Sequence, residues 1–316
     1  MEEMLTLERV KAARSLIRSY IRRTPLLEAK GLKQGIVDCE SLWLKLECLQ
    51  VTGSFKVRGA VNKLLSLPPE TLQRGILTAS GGNHGLAVAY AGWIANVPAT
   101  IYLPYNTPPA KTQKLQEWGA EVIMEGAVWD DANRAALMRA EQDRLPYFHP
   151  FADPLVMAGQ GTVTLEILED LPEADTLLVA IGGGGLISGI SFAAKALRPD
   201  IKVIGVEATG APTLYDSLQA GTVVELSTVV TKANTLAPRK TEPINFEIIR
   251  DCVDEVVLVT DEQMQTAARW LWFELGVAAE LSGAAVIAAL QSGSYRPATN
   301  EVVCALVCGA GTDGVK

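Results

Sequence analysis

The chain has 316 residues, 48% of them apolar and 20% charged, a length and composition that suit one large or two moderate domains with a sizeable core. A formal net charge of -8 and the lack of any long Lys/Arg run argue against a surface for nucleic acid or anionic membrane. No apolar stretch approaches the roughly 18 residues of a membrane span, the acidic start Met1-Glu2-Glu3 is no signal peptide, and five scattered cysteines without a Cys-x-x-Cys pair suggest neither disulfides nor zinc, so a cytoplasmic protein with reduced thiols is expected.

In chain order, Leu7, Val10, Ala13, Ile17 and Tyr20 share one face at helical spacing, and Arg23-Thr24-Pro25 ends that helix. A strand over 41–46 leads to the turn Thr52-Gly53-Ser54, with Ser54 as the N-cap of a helix through Val57, Ala60, Val61 and Leu64. After Pro68-Pro69, strands at 75–78, 99–103 and 121–124 alternate with helices at 86–95 and 109–118. The alternation resumes past residue 150, with strands at 176–181, 202–207, 255–259 and 301–307 and helices at 186–197, 213–219 and 261–275. This is the pattern of parallel sheets with crossover helices, an α/β fold. The Thr/Pro-rich connection over 208–247 is the kind that carries site loops.

Four motifs bear chemistry. Lys56 falls in the first turn of its helix, where the positive end of the dipole favours the neutral amine that attacks a carbonyl; a solvated surface lysine is the plain alternative. Ser80, Gly81, Gly82, Asn83 and His84 lie between a strand and an apolar helix, a turn suited to a carboxylate or simply a βα loop. His84 reads equally well as a structural histidine and is not expected to be the catalytic base. Gly182, Gly183, Gly184 and Gly185 follow a strand and precede a helix, so their amides can wrap a phosphate. A dinucleotide site competes for this loop, since Glu207 ends the next strand about 20 residues on. Frames starting at Gly182 or Gly183 nevertheless meet Ile187 or Ser188 at the third glycine position. Cys308, past the last strand, is either a small core residue or a neutral S–H partner for a ring nitrogen.

Together, Ser54-Phe55-Lys56 with Arg58-Gly59-Ala60, the 80–84 loop, the four glycines and Cys308 resemble the pyridoxal-phosphate enzymes of the tryptophan synthase β-subunit fold. Within that fold they look most like the serine/threonine dehydratase and serine racemase group. The resemblance implies two domains, each a mostly parallel twisted sheet flanked by helices, with pyridoxal phosphate in the cleft. Residues 1–74 and 151–316 would form the large domain and 75–150 a small mobile one. It implies that Lys56 holds the cofactor covalently beside Phe55, that 182–185 bind its phosphate, and that Asn83 approaches its ring hydroxyl. Ser80, Gly81, Gly82, Asn83 and His84 would take the substrate carboxylate, Cys308 would meet the pyridine nitrogen, and Glu280 would support the pocket.

The implied reaction is β-elimination from a 3-hydroxy amino acid such as L-threonine or L-serine, giving a 2-oxo acid and ammonia. Lys56 would remove the α-proton, the charge passing into the cofactor ring, and the cofactor phosphate would protonate the departing hydroxyl. A neutral Cys308 stabilises a protonated pyridine less than a carboxylate would, which favours elimination. Racemase-like members carry an acid/base serine where this chain has Gly81, so racemisation is disfavoured. Members with a divalent cation use a Glu, a carbonyl and an Asp; here these positions are Glu207, Ala211 and Thr213, and no metal is expected. With the sequence ending shortly after the Cys308 loop, no regulatory domain like that of biosynthetic threonine deaminases is expected, and the resemblance implies a homodimer as the family default. A dinucleotide-dependent oxidoreductase and a catalytically silent cofactor-binding protein are the readings of other classes.

Overall fold

The computed structural model describes residues 4–315; the acidic start at Met1 to Glu3 lies outside the described residues. Helix α1 (Leu7–Ile17) is followed by strands β1 (Leu26–Glu28) and β2 (Ser41–Lys45), then helices α2 (Lys56–Ser66) and α3 (Pro69–Leu72). Next come β3 (Ile76–Ala79), α4 (Asn83–Ala95), β4 (Ala99–Leu103), α5 (Pro109–Glu117), β5 (Glu121–Met124), α6 (Trp129–Asp143) and α7 (Pro154–Asp170). The remainder alternates as β6 (Thr176–Ala180), α8 (Gly185–Leu197), β7 (Lys202–Ala208), α9 (Thr213–Ala220), α10 (Pro243–Cys252), β8 (Glu255–Val259), α11 (Asp261–Leu275), α12 (Leu281–Ser292) and β9 (Val302–Leu306).

Two compact units result. One comprises the residues up to Arg22 with Lys56–Gly159, the other Arg23–Phe55 with the residues from Gln160 onward. The sequence placed the division at 75 and 150. It falls elsewhere because buried Val57, Val61 and Leu64 make α2 a partner of α4, and because Asn62 Nδ2 donates to Leu155 O at 2.7 Å, which ties the start of α7 to α2.

In the larger unit six strands run in the order β1-β2-β9-β6-β7-β8, parallel except for β1, which pairs antiparallel with β2. A parallel strand covered on both faces needs apolar side chains on both, and every residue of β6 is buried. Helix α12 packs along β6, β7, β8 and β9 with α11 outside it, and α8 packs against α10. The other unit holds a parallel sheet of order β3-β4-β5, with α4 and α6 against β3 and β4. Among the described residues no helix is long and apolar enough to cross a membrane.

Local signals fix the ends. Thr260 and Gln263 form a reciprocal capping box at the start of α11, with Gln263 N donating to Thr260 Oγ1 at 3.2 Å and Thr260 N to Gln263 Oε1 at 2.7 Å. Ser54 is a different case from the one expected. It is extended (φ -160, ψ 162) and bridged to Gly309, so α2 starts at Lys56 and the buried Ser54 hydroxyl has no partner among the described residues. Strand pairing with 308–310 overrides the capping preference.

Candidate active site

Lys56 opens α2, and its Nζ donates to the Pro150 carbonyl at 2.7 Å. Both histidines of the chain lie beside it in sequence-distant segments. His84 Nε2 is 2.9 Å from the Phe148 carbonyl; a carbonyl accepts only, so Nε2 carries the proton and the buried Nδ1 is an acceptor without a partner among the described residues. His149 Nδ1 accepts from Ala152 N at 2.8 Å and Phe151 N at 3.3 Å. Burial holds the His84 imidazole well below its ordinary value, with the nearby Lys56 charge adding to the effect. Burial likewise lowers His149 to about 4. Neither ring brings a positive charge to the lysine at neutral pH. The sequence singled out His84 and passed over His149-Pro150; the one available signal was that the chain has only two histidines.

The 80–84 segment is half loop and half helix. Asn83 and His84 form the first turn of α4, which begins three residues earlier than the sequence suggested, with Gly82 as a cap that offers no side chain. Ser80 Oγ accepts from Gly82 N at 3.3 Å, which curls residues 80–82 into a tight turn. All of these groups belong to the unit that contains Lys56.

In the other unit, residues 182–185 link β6 to α8. Gly184 has φ +97, a left-handed conformation that side chains resist, and a Cβ there would lie 2.9 Å from Ile249 Cδ1. At Gly182 a Cβ would lie 2.5 Å from the Thr235 carbonyl. The loop is fixed from behind by Thr241 Oγ1, which donates to Gly183 O at 3.0 Å. Among the described residues no side chain caps α8, so its first-turn amides remain available to an anion.

Phe55 N donates to Cys308 O at 3.3 Å, so this unit carries Phe55 and Cys308 side by side. Burial pushes the Cys308 thiol well up, with Glu280 adding to the effect, and keeps it S–H. Its Sγ reaches Ser282 Oγ at 3.9 Å, and Ser282 Oγ lies 2.5 Å from Glu280 Oε1. The sequence named Glu280 but gave no role to Ser282, which lies between it and Cys308.

The positions considered for a cation have other partners. Glu207 accepts from Leu214 N at 2.9 Å and Tyr215 N at 2.8 Å, one amide to each oxygen. The Ala211 carbonyl accepts from Thr213 N at 2.9 Å. Burial also pushes Glu207 up to about 8, and among the described residues no group of three His, Cys, Asp or Glu is placed to hold a metal. Glu207 thus anchors the start of α9.

Comparison with known proteins places this geometry. The family described as "Pyridoxal-phosphate dependent enzyme" matches residues 17–309. The L-threonine ammonia-lyase of Geobacter sulfurreducens is 41% identical over 305 residues, covering 96% of this chain and 75% of that protein. Among solved structures, maize serine racemase superposes with a TM-score of 0.93 at 33% identity, over 98% of this chain and 95% of that one. The T.th. threonine deaminase gives 0.89 at 34% identity, over 98% and 99%. A match across nearly the whole length, joined to a half-buried lysine at one helix start and a glycine loop at another, has one reading: the chain belongs to the pyridoxal-phosphate dependent enzymes.

Proposed function

We propose that this enzyme eliminates the β-hydroxyl of a 3-hydroxy amino acid, with L-threonine or L-serine as substrate, and yields a 2-oxo acid and ammonia. The observation that carries the reading is Lys56: an amine held by the Pro150 carbonyl at 2.7 Å beside two imidazoles that burial keeps neutral. The relative from Geobacter sulfurreducens, named an L-threonine ammonia-lyase, supports the substrate class. The donor set suits pyridoxal phosphate: a lysine amine for its carbonyl, glycine amides at a helix start for its phosphate, and a neutral thiol at Cys308 for its ring nitrogen. The bound cofactor supplies an electron sink for the charge left when the α-proton departs.

The chain's own groups do the rest. Lys56 Nζ would take the α-proton, the Cβ–O bond would break, and the hydroxyl would leave as water, its second hydrogen being in net balance the proton removed from the α-carbon. The released enamine tautomerises and hydrolyses to the 2-oxo acid and ammonia. The turn at 80–82 and the first-turn amides of α4 would orient the substrate carboxylate, and Asn83 would help hold the cofactor's ring. His84 acts through its Nε2–H bond to Phe148 O, which holds the start of α4. Residues 80–84 would close over the substrate and exclude water. The working protein is a cytoplasmic homodimer.

Lys56→Ala tests the assignment. Elimination should fall by about 10²–10⁴-fold or more, while the variant still takes up cofactor reversibly through the glycine loop. Borohydride reduction of the wild type should leave the cofactor on Lys56 alone, read by peptide mass spectrometry. Wild-type turnover in the variant, or label on another lysine, overturns the reading.

A further inference from the structure

Cys308 is one end of a chain of polar groups. Its Sγ is 3.9 Å from Ser282 Oγ, the Ser282 hydroxyl is 2.5 Å from Glu280 Oε1, and Thr235 Oγ1 reaches the same carboxyl oxygen at 3.4 Å. The direction of the bonds follows from proton supply. A carboxylate only accepts, a serine hydroxyl has one proton to give, and an O–H···O⁻ contact this short belongs to the strong charge-assisted class, whereas sulfur is a weak acceptor. Ser282 therefore donates to Glu280. What it turns toward Cys308 is a lone pair, so the S–H of Cys308 is the proton on that contact.

The arrangement is rigid. Glu280 N donates to Gly309 O at 3.1 Å, Ala279 is bridged to Ala310, and a Cβ on Gly283 would lie 2.5 Å from Gly309 O. Residues 279–283 thus run against 308–311 backbone to backbone, with no space for a side chain at Gly283. Ser282 and Cys308 are 2% and 3% exposed, so water does not compete for either group.

We propose that Ser282, oriented by Glu280, is a positioning residue that draws the Cys308 S–H to itself, so that the sulfur meets the cofactor's ring nitrogen with a lone pair. The second half rests on the reading that places Cys308 at that nitrogen. A nitrogen facing a lone pair holds its own proton more readily than one facing an S–H donor. Ser282 therefore raises the share of protonated ring above what a lone thiol would give, and sharpens the electron sink without the charge of a carboxylate.

The thiol is read first, in the apo-protein. The infrared S–H stretching band of Cys308 is identified by its loss in Cys308→Ala. Ser282→Ala should move that band to the frequency of an unbonded thiol, and Ser282→Thr, which keeps the hydroxyl, should restore it. Glu280→Gln should move it in the same direction as Ser282→Ala, since the serine proton is then free to turn toward sulfur. An unmoved band in both Ser282→Ala and Glu280→Gln overturns the proposal whatever the cofactor does. The second reading is the NMR resonance of an isotope-labelled ring nitrogen in enzyme reconstituted with pyridoxal phosphate. It should shift toward unprotonated pyridine in Ser282→Ala and stay in place in Ser282→Thr. A band that moves while the ring resonance does not would overturn the placement of Cys308 at the ring and leave the Ser282 contact standing.

Discussion

The segments that converge on Cys308 and those that surround Lys56 satisfy their polar groups in different ways. Around Cys308, Ser282 donates to Glu280 and the backbones of 279–283 and 308–311 are locked together; the hydroxyl of Ser54, opposite Gly309, is the exception, without a partner among the described residues. Around Lys56, the buried Nδ1 of His84 has no partner among the described residues, and Ser80 Oγ accepts a 3.3 Å contact from Gly82 N. A group bound through every turnover rewards fixed geometry. A substrate that enters and leaves needs donors and acceptors that keep capacity to bind it.

The comparison breaks most sharply at Gly184. Valine there must take a left-handed φ and must also displace Ile249, so the cost should be about 2–6 kcal/mol. The amides at 182–185 would be turned from their positions. Gly184→Val should purify with little cofactor and a lowered Tm, while the spectrum of added free cofactor stays unperturbed. Full cofactor content at wild-type Tm would show that the phosphate is held elsewhere.

A smaller effect is expected from pH, with opposite signs in the two units. His149 titrates near 6.5 unfolded and about 4 folded, so the unfolded chain binds the extra proton. Stability is full above 6.5 and falls as pH drops toward 4, by on the order of 3 kcal/mol for this group; His84 acts in the same direction. Glu207, in the other unit, titrates near 4.5 unfolded and about 8 folded. Its contribution is full below 4.5 and fades as pH rises through 8. Two imidazoles outweigh one carboxyl below 6.5, and the carboxyl acts alone above it, so Tm should peak between pH 6 and 7, about where the signs change. His149→Asn should flatten the acid limb and Glu207→Gln the alkaline one. A Tm that is level from pH 5 to about 8 in the wild type would contradict both assignments.

The legibility of these features follows from where their signals reside. The span of α11 is visible because Thr260, Gln263 and Gly276 mark its ends, and β6 because burial on both faces leaves an unbroken apolar run. Helices α7 and α12 escape the reading. Residues 281–290 of α12 are all buried, and a helix that is apolar all round has no stripe to detect. The buried face of α6 is Ala132, Ala136 and Ala140, too small to stand out. Strand β1 is three residues long. The first turn of α4 is hidden because Gly82 provides no capping side chain. The Lys56 motif and the glycine loop are local and could be read directly. Ser282 and Cys308 are brought together by the pairing of 279–283 with 309–310, a contact between distant segments that no local pattern encodes.

The smallest effect tests what is missing from the substrate side. Inverting an α-carbon needs one group to take the proton from one face and a second to return it on the other. Lys56 is proposed as the first, and the position that bears a serine in racemase-like members is Gly81 here. The site can accept the change: a Cβ on Gly81 would lie 3.2 Å from Leu103 Cδ2 and 3.5 Å from Thr107 Cγ2, contacts that small side-chain movements relieve, and Gly81 is not among the glycines with positive φ. The wild type should therefore convert L-serine to oxo acid with hardly any D-serine, since a closed site admits no water to replace the absent hydroxyl. Gly81→Ser should add a measurable D-serine fraction while elimination continues. Chiral chromatography of the residual substrate decides it. D-serine formed by the wild type as fast as oxo acid would mean that another side chain returns the proton, and the best placed for that search are the neighbours of residues 80–84 on α4.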